Sequence, residues 1–144
     1  IGLISSIGKS SIKVHRRPLV TILATGNELI PPGHNPVSGK IYDSNTSAII
    51  ASVIESGGIP KSLGIVKDDI ESLNQAIDIA KDSDLVITSA GVSKGDYDIV
   101  KDVLSSKGKL NFWSVRMRPA KPLAFGLLKS NTPLIGLPGN PVSK

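Results

Sequence analysis

Three carboxylates of this sequence each follow an apolar run of the kind that predicts a buried strand. They are Glu28 after "PLVTILAT" (18–25), Asp68 after "IPKSLGIV" (59–66) and Asp98 after "DLVITS" (84–89). Mg²⁺ typically takes one or two carboxylates together with phosphate oxygens and waters. We therefore expect the three side chains to converge on one divalent cation at the edge of a sheet.

Glycine-bearing loops follow three of the predicted strands. They read "ATGNEL", "SAGVSKGDYD" and "GLPGNPVS". Glycine lets backbone N–H groups approach a ligand closely, and the start of a following helix favours an anion. Loops of this kind gather at the carboxyl edge of a parallel sheet, where α/β proteins bind ligands. This pattern predicts a phosphate site beside the cation.

Simpler roles remain open for the same residues. A glycine loop is more often a tight turn than a phosphate site. Either Asp68 or Asp69 caps the next helix, and either Asp96 or Asp98 caps the one after that. Glu28 would then be an ordinary solvated loop residue.

One lysine is held between two prolines in "MRPAKPLAFG" (117–126). Proline fixes the local backbone, so the ammonium group of Lys121 would be held in place as a point charge for an oxyanion. The alternative is a rigid hairpin turn with a surface lysine. His15 and His34 are isolated, and we expect no metal-ligand pair from them.

The composition suits one globular domain with a core, since 40% of the 144 residues are hydrophobic. With no cysteine, disulfides and thiolate metal sites are excluded. No apolar run approaches the roughly 20 residues that cross a bilayer, so we expect no membrane partner and a cytoplasmic location. The net charge of +5 is scattered, and only five aromatic residues are present. Base-stacking platforms are therefore scarce, and we expect no nucleic acid ligand.

Strands that alternate with helices predict an α/β fold: a three-layer, mostly parallel sheet with helices on both faces. Ser44 or Asn45 would cap a helix over 46–56, and Leu73, Ala76, Ile77 and Ala80 form the apolar stripe of the next. A third helix around Val103 would end at Gly108, and 26–43 would be a long loop. The final runs, 109–117, 121–128 and 132–137, lack intervening helices and predict adjacent strands. Residues 1–15 would be a linker or a remnant of a neighbouring domain, and 16–144 the domain itself.

Six motifs in this order resemble those of the molybdopterin molybdenumtransferase family, which includes the bacterial MoeA proteins and the carboxy-terminal part of gephyrin. They are "TGNELIPPG", "GKIYDSN", "LGIVKDD", "SAGVSKGDYDIVKDVL", "RPAKPLAFG" and "GLPGNPVS". The resemblance covers about 14–143 and corresponds to the central, molybdopterin-binding catalytic domain of that family. It implies Mg²⁺-dependent cleavage of adenylylated molybdopterin, with molybdate as the second substrate and molybdenum cofactor as the product.

The resemblance also implies roles for individual residues. Glu28, Asp68 and Asp98 match acidic active-site positions and would be both catalytic and metal-binding. Lys121 would meet phosphate or molybdate, and Ser143 would be a weaker molybdate ligand. Substrate or nucleotide would be held by Thr25, Gly26, Gly91, Ser93, Gly95, Lys121, Gly139 and Asn140.

Two departures and two absences accompany the resemblance. Ala90 and Ala120 replace glycines that are usual in the family, and alanine is strained wherever φ is positive. We expect the N-terminal lid and dimerisation region and the C-terminal domain of family members to be missing here, beyond the possible remnant in 1–15. The resemblance implies a homodimer for the full-length protein, contact with a molybdopterin adenylyltransferase, and weak or no turnover by this fragment alone.

Three other readings share the fold. A molybdopterin adenylyltransferase-like enzyme is disfavoured by "PAKP" followed by "LPGNP", and a competence-damage protein by "GVSKGDYD". A non-catalytic binding or scaffold module would use the missing C-terminal domain.

Overall fold

The computed structural model describes residues 1–35, 37–89, 103, 106, 108–114 and 122–139, and for 110–114, 122 and 123 it describes the backbone only. The helices are α1 (Gly2–Ser6), α2 (Asn45–Glu55) and α3 (Ile70–Ala80). The strands are β1 (Leu19–Thr25), β2 (Leu29–Ile30), β3 (Ile41–Tyr42), β4 (Ile59–Val66), β5 (Leu85–Ser89), β6 (Gly108–Ser114), β7 (Pro122–Leu128) and β8 (Pro133–Leu137).

Six strands form one sheet in the order β4-β1-β5-β8-β7-β6. β4, β1, β5 and β8 are mutually parallel neighbours, whereas β7 runs antiparallel to both β8 and β6. The mostly parallel α/β sheet predicted from the sequence is therefore confirmed. The three closing strands also lie next to each other, as expected from their sequence.

Helices cover the two faces of this sheet. Buried residues of α3 pack with Leu23, Val86 and Leu134 on one face. On the other face, Ile49 and Val53 of α2 pack with Val20 and Ile22. The chain leaves β1 toward β4 and then returns past β1 to β5, so crossovers of one handedness place α2 and α3 on opposite faces. The predicted apolar stripe of α3 is buried throughout.

The connections that follow the parallel neighbours β1 and β5 lead to opposite faces of the sheet. The connection after β1 leads to the α2 face, whereas the connection after β5 reaches Val103, which is buried in the α3 cluster. The crevice between such diverging connections is where open α/β sheets bind ligands. The register pairs Ala24 with Ser89, Ser89 with Leu137 and Thr25 with Val66, so four strands end at one level.

The described residues Val103 and Ser106 are both helical, as predicted for a helix around Val103, and Gly108 begins β6. One local prediction needs correction. The segment 26–43 is not only loop, because Leu29–Ile30 and Ile41–Tyr42 pair as a short parallel ladder. Prolines and glycines between the two segments limit this ladder to two residues each.

The outer strand β4 carries a bulge where it pairs with β1. Ile22 lies opposite Ser62, and Leu23 lies opposite Gly64, so Leu63 is an extra residue. Gly64 has a φ of +74°, which a residue with a Cβ rarely adopts.

The amino edge of the sheet is closed by paired polar groups. The Arg16 guanidinium donates to both oxygens of Asp84, and the Leu19 N–H donates to Asp84 Oδ2 at 2.7 Å. These donors hold the pKa of the Asp84 carboxyl below its ordinary value. Arg17 donates to the carbonyl oxygens of Gly57 and Gly58 just before β4. Within the described residues, no helix is long and apolar enough to span a membrane.

Candidate functional site at the carboxyl edge of the sheet

The first predicted carboxylate lies directly beyond β1. Gly26 is buried with a φ of +149°, and an added Cβ there would lie 2.7 Å from each carboxylate oxygen of Glu28. The carboxylate therefore folds back over the backbone of residue 26 while the Glu28 residue stays exposed. Glycine at position 26 permits both the backbone conformation and this close approach.

The second predicted carboxylate is brought to the same place. Asp68 follows β4, and its Oδ2 accepts a hydrogen bond of 3.1 Å from the backbone N–H of Asn27. The loops after β1 and β4 are thus joined within one residue of Glu28. Asp68 is not the helix cap, because Asp69 accepts from the N–H of Ser72 at 2.7 Å at the start of α3. Hydrogen bonds from the Ser72 backbone and hydroxyl lower the pKa of Asp69.

The third carboxylate, Asp98, lies outside the described residues. The same holds for Ala90, Gly91, Ser93, Gly95, Ala120, Lys121, Asn140 and Ser143. Among the residues that the structure does describe, no three His, Cys, Asp or Glu side chains gather as metal ligands would. The convergence of the three carboxylates and the anchoring by Lys121 remain predictions.

A cation that the sequence did not single out lies beside the first loop. Lys40 donates from Nζ to the carbonyl oxygen of Asn27 at 2.5 Å. The short ladder holds this arrangement, because the Ile41 N–H donates to the Glu28 carbonyl at 2.8 Å and the Asp43 N–H donates to that of Ile30 at 2.9 Å. Lys40 therefore places a positive charge next to the loop that carries Glu28.

The start of α2 differs from the prediction. Ser44 occupies the N-cap position, but its side chain makes no capping bond, and Asn45 is already the first helical residue. The carboxylate of Asp43 performs the capping, because its Oδ1 accepts from the N–H groups of Asn45 and Thr46 at 3.1 Å each. Its Oδ2 accepts from Thr46 Oγ1. A carboxylate at a helix start is also favoured by the helix dipole.

Gly139, the described one of the two site residues predicted in the last glycine loop, is hydrogen-bonded to the start of α2. The side-chain Nδ2 of Asn45 donates to the Gly139 carbonyl at 2.8 Å, and Asn45 is only 6% exposed. Sequence reasoning considered Asn45 only as a helix cap. The signal that was available is its place in "GKIYDSN", a motif already noted for the resemblance.

Several buried polar atoms at this edge have no partner among the described residues. They are Thr25 Oγ1 at the end of β1, Thr88 Oγ1 near the end of β5 and Asn45 Oδ1. Buried polar atoms are usually hydrogen-bonded, so these three are candidates to bind a water or a substrate oxygen. An apolar groove of about 740 Å³ runs beside α2, and its lining includes Asn45 and Leu137 at the carboxyl edge of the sheet.

Comparison with known proteins identifies the family. A family model described as probable molybdopterin binding domain matches residues 21–144. This chain belongs to that molybdopterin-binding family. The resemblance and the fold predicted from the sequence motifs are thereby confirmed.

Longer proteins contain close relatives of this molybdopterin-binding domain. A molybdopterin molybdenumtransferase of Haemophilus influenzae is 40% identical over 98% of this chain and 35% of its own length. One from Nostoc sp. is 42% identical over 99% of this chain and 34% of its own length. The crystal structure of a molybdopterin biosynthesis MoeA protein from Pyrococcus horikosii covers 99% of this chain and 35% of that protein, with a TM-score of 0.83 and 36% identity. The chain spans about a third of the length of each.

Proposed function

We propose that this chain is the catalytic domain of a molybdopterin molybdenumtransferase. Such an enzyme takes adenylylated molybdopterin and molybdate, cleaves the adenylyl phosphate with Mg²⁺ and yields molybdenum cofactor. The observation that carries the proposal is the 40% and 42% identity to two proteins of that name across almost the whole chain. Because the chain spans a third of each relative, we propose the activity for a protein of the relatives' length.

The donor chemistry at the carboxyl edge is suited to the proposed cation. Glu28 and Asp68 offer carboxylate oxygens, which Mg²⁺ prefers, and the hydrogen bond from the Asn27 N–H to Asp68 joins their loops. When bound, Mg²⁺ would neutralise negative charge on the phosphate oxygens. Asp98, proposed as the third ligand, follows β5 in the sequence, and β5 is the strand next to β1.

The chain's own groups would orient an anionic substrate at this edge. Lys40 adds positive charge beside the β1 loop. The hydroxyls of Thr25 and Thr88, buried without a partner among the described residues, would be available to order a water or a substrate oxygen. Gly26 keeps the backbone of the loop accessible to the Glu28 carboxylate.

The remaining assignments are part of the same proposal. Lys121 and Ser143 would hold molybdate, and the nucleotide or molybdopterin phosphate would contact the glycine loops. Two copies of the full-length protein would pair, a molybdopterin adenylyltransferase would supply the substrate, and the enzyme would work in the cytoplasm. Support for these points comes from the sequence motifs, which match the family in order.

The decisive experiment supplies the full-length protein with adenylylated molybdopterin, molybdate and Mg²⁺ and measures released AMP. We expect release by the wild type and no release by Asp98→Asn, since the variant would lack a metal-binding charge. Asp82→Asn, at an exposed position after α3, is the matched control and should behave as wild type. If the protein instead forms adenylylated molybdopterin from molybdopterin and ATP, the adenylyltransferase alternative is favoured. If it catalyses neither AMP release nor this adenylylation, a binding module is favoured.

A further inference from the structure

Asn45 joins two parts of the carboxyl edge that are far apart in the sequence. It begins α2, which follows the loop of Glu28, and its amide donates to Gly139, which follows β8. The two residues are 94 positions apart, and the 2.8 Å contact is partly buried. A single side chain therefore connects the start of α2 to the last glycine loop.

The position of Asn45 is fixed from the Glu28 side. The Ile41 N–H donates to the Glu28 carbonyl, and the next residue but one, Asp43, is buried and donates from its backbone to Ile30. The carboxylate of Asp43 then accepts the N–H of Asn45. Hydrogen bonds and the short backbone segment 41–43 thus connect the Glu28 carbonyl, through Asp43 and Asn45, to Gly139.

Helix capping does not account for the amide of Asn45. Asp43 already caps the helix. The Asn45 side chain instead donates a hydrogen bond to the Gly139 carbonyl. Its Oδ1 is buried without a partner in the described part of the chain. For stability alone we would expect both ends of a buried amide to be paired or an apolar residue to replace it.

We propose that Asn45 is a positioning residue, which holds the loop after β8 in register with the loop of Glu28. The effect on catalysis rests on the proposed function. Misplacing a substrate-binding loop by about 1 Å can lower the rate on the order of 100-fold. It would make the "GKIYDSN" motif the link between the loops proposed to bind the metal and the glycine loop proposed to contact the substrate.

Asn74 offers a matched control on the other face of the sheet. Its Nδ2 also donates to a backbone carbonyl, that of Ile70, at 2.8 Å, and its Oδ1 is also buried without a partner. Asn74 lies within α3, so its hydrogen bond stays inside one helix and connects no loops. The same substitution at both positions removes the same chemistry.

The test uses full-length Asn45→Ala and Asn74→Ala, with Asn45→Asp and Asn74→Asp as isosteric second variants that cannot donate. Hydrogen exchange is followed in the peptide over 133–139, and kcat and KM are measured by AMP release. For the Asn45 variants we expect faster exchange in this peptide and a kcat/KM lower by about tenfold or more. The Asn74 variants should leave both close to wild type.

Equal exchange in the Asn45 and Asn74 variants would overturn the proposal. Faster exchange at an unchanged kcat/KM would overturn it as well, since the contact would then hold the loop without serving the site. If the wild type releases no AMP, the proposed function fails. The exchange comparison then decides separately whether Asn45 positions the loop.

Discussion

The two edges of the central sheet differ in how far their buried polar groups are hydrogen-bonded. At the amino edge, Thr21 and Ser83 share a buried hydrogen bond of 2.6 Å, and Asp84 receives donors from Arg16 and Leu19. At the carboxyl edge, the hydroxyls of Thr25 and Thr88 and the Asn45 carbonyl oxygen are buried without a partner in the part of the chain that the structure describes. Buried polar groups are usually paired, so these groups are available for the substrate contacts that the proposed function requires.

Among variants that compare the two edges, the largest effect should come from the exposed carboxylate of Glu28 at the carboxyl edge. Glu28→Gln in the full-length protein should lower the rate of AMP release by about 100-fold or more, because a charge at the reacting phosphate is lost. Glu55→Gln, at the exposed end of α2 near the amino edge, should retain full activity. Equal rates of AMP release by the two variants would show that Glu28 does not act in the site.

Gly26→Ala should combine a loss of stability with a loss of function. Any residue with a Cβ is strained at the φ of +149° that Gly26 adopts. We therefore expect the variant to have an unfolding free energy lower by about 1–3 kcal/mol. The added methyl group also displaces the Glu28 carboxylate, so AMP release should fall. Gly33→Ala is the control, because its φ of +89° brings similar strain but no atom lies within 4 Å of the added Cβ. Denaturant unfolding and AMP release, compared between the two variants, separate strain from displacement.

A pair of threonine variants tests the edge comparison most directly. Thr21→Val leaves Ser83 without its buried partner and should lower the unfolding free energy by about 1–3 kcal/mol. Thr25→Val replaces an unpartnered buried hydroxyl with a methyl group and should cause no loss. Urea denaturation measures both, and a large loss for Thr25→Val would mean that its hydroxyl is satisfied in the folded protein.

The smallest effect is expected at Asp84, which lies near the surface. Its folded-state pKa is depressed by Arg16 and the Leu19 N–H, so its contribution is present above the unfolded-state pKa of about 3.9 and is lost as pH falls through the folded value. Asp84→Asn should therefore be less stable than wild type at neutral pH. The difference should shrink as the solution is acidified below the unfolded-state pKa. A gap that stays constant down to pH 2 would contradict this origin.

The sequence predicted most of the sheet because burial leaves a local pattern. The apolar runs of β1, β4 and β5 and the stripe of α3 appear where expected, and the parallel order explains why the loops of Glu28 and Asp68 meet. The β2–β3 ladder was missed because two residues per strand leave no periodicity.

The contacts that set the site were harder to predict. The cap at α2 was assigned to Ser44 or Asn45, whereas Asp43 accepts the bonds, because any of three neighbouring polar residues can reach the first helical N–H groups. The bond from Asn45 to Gly139 depends on which loop faces the start of α2, and sequence spacing carries no information on that. The positions of Asp98 and Lys121 remain predictions.

The extra residue in β4 has a consequence for self-association. β4 is an outer strand of the sheet, and its backbone groups could pair with a strand of another copy. The bulge at Leu63 and the positive φ of Gly64 interrupt the regular spacing of those groups, and the exposed Lys61 adds charge beside them. A neighbouring strand could therefore form only a short stretch of ladder, which protects the protein against edge-to-edge aggregation.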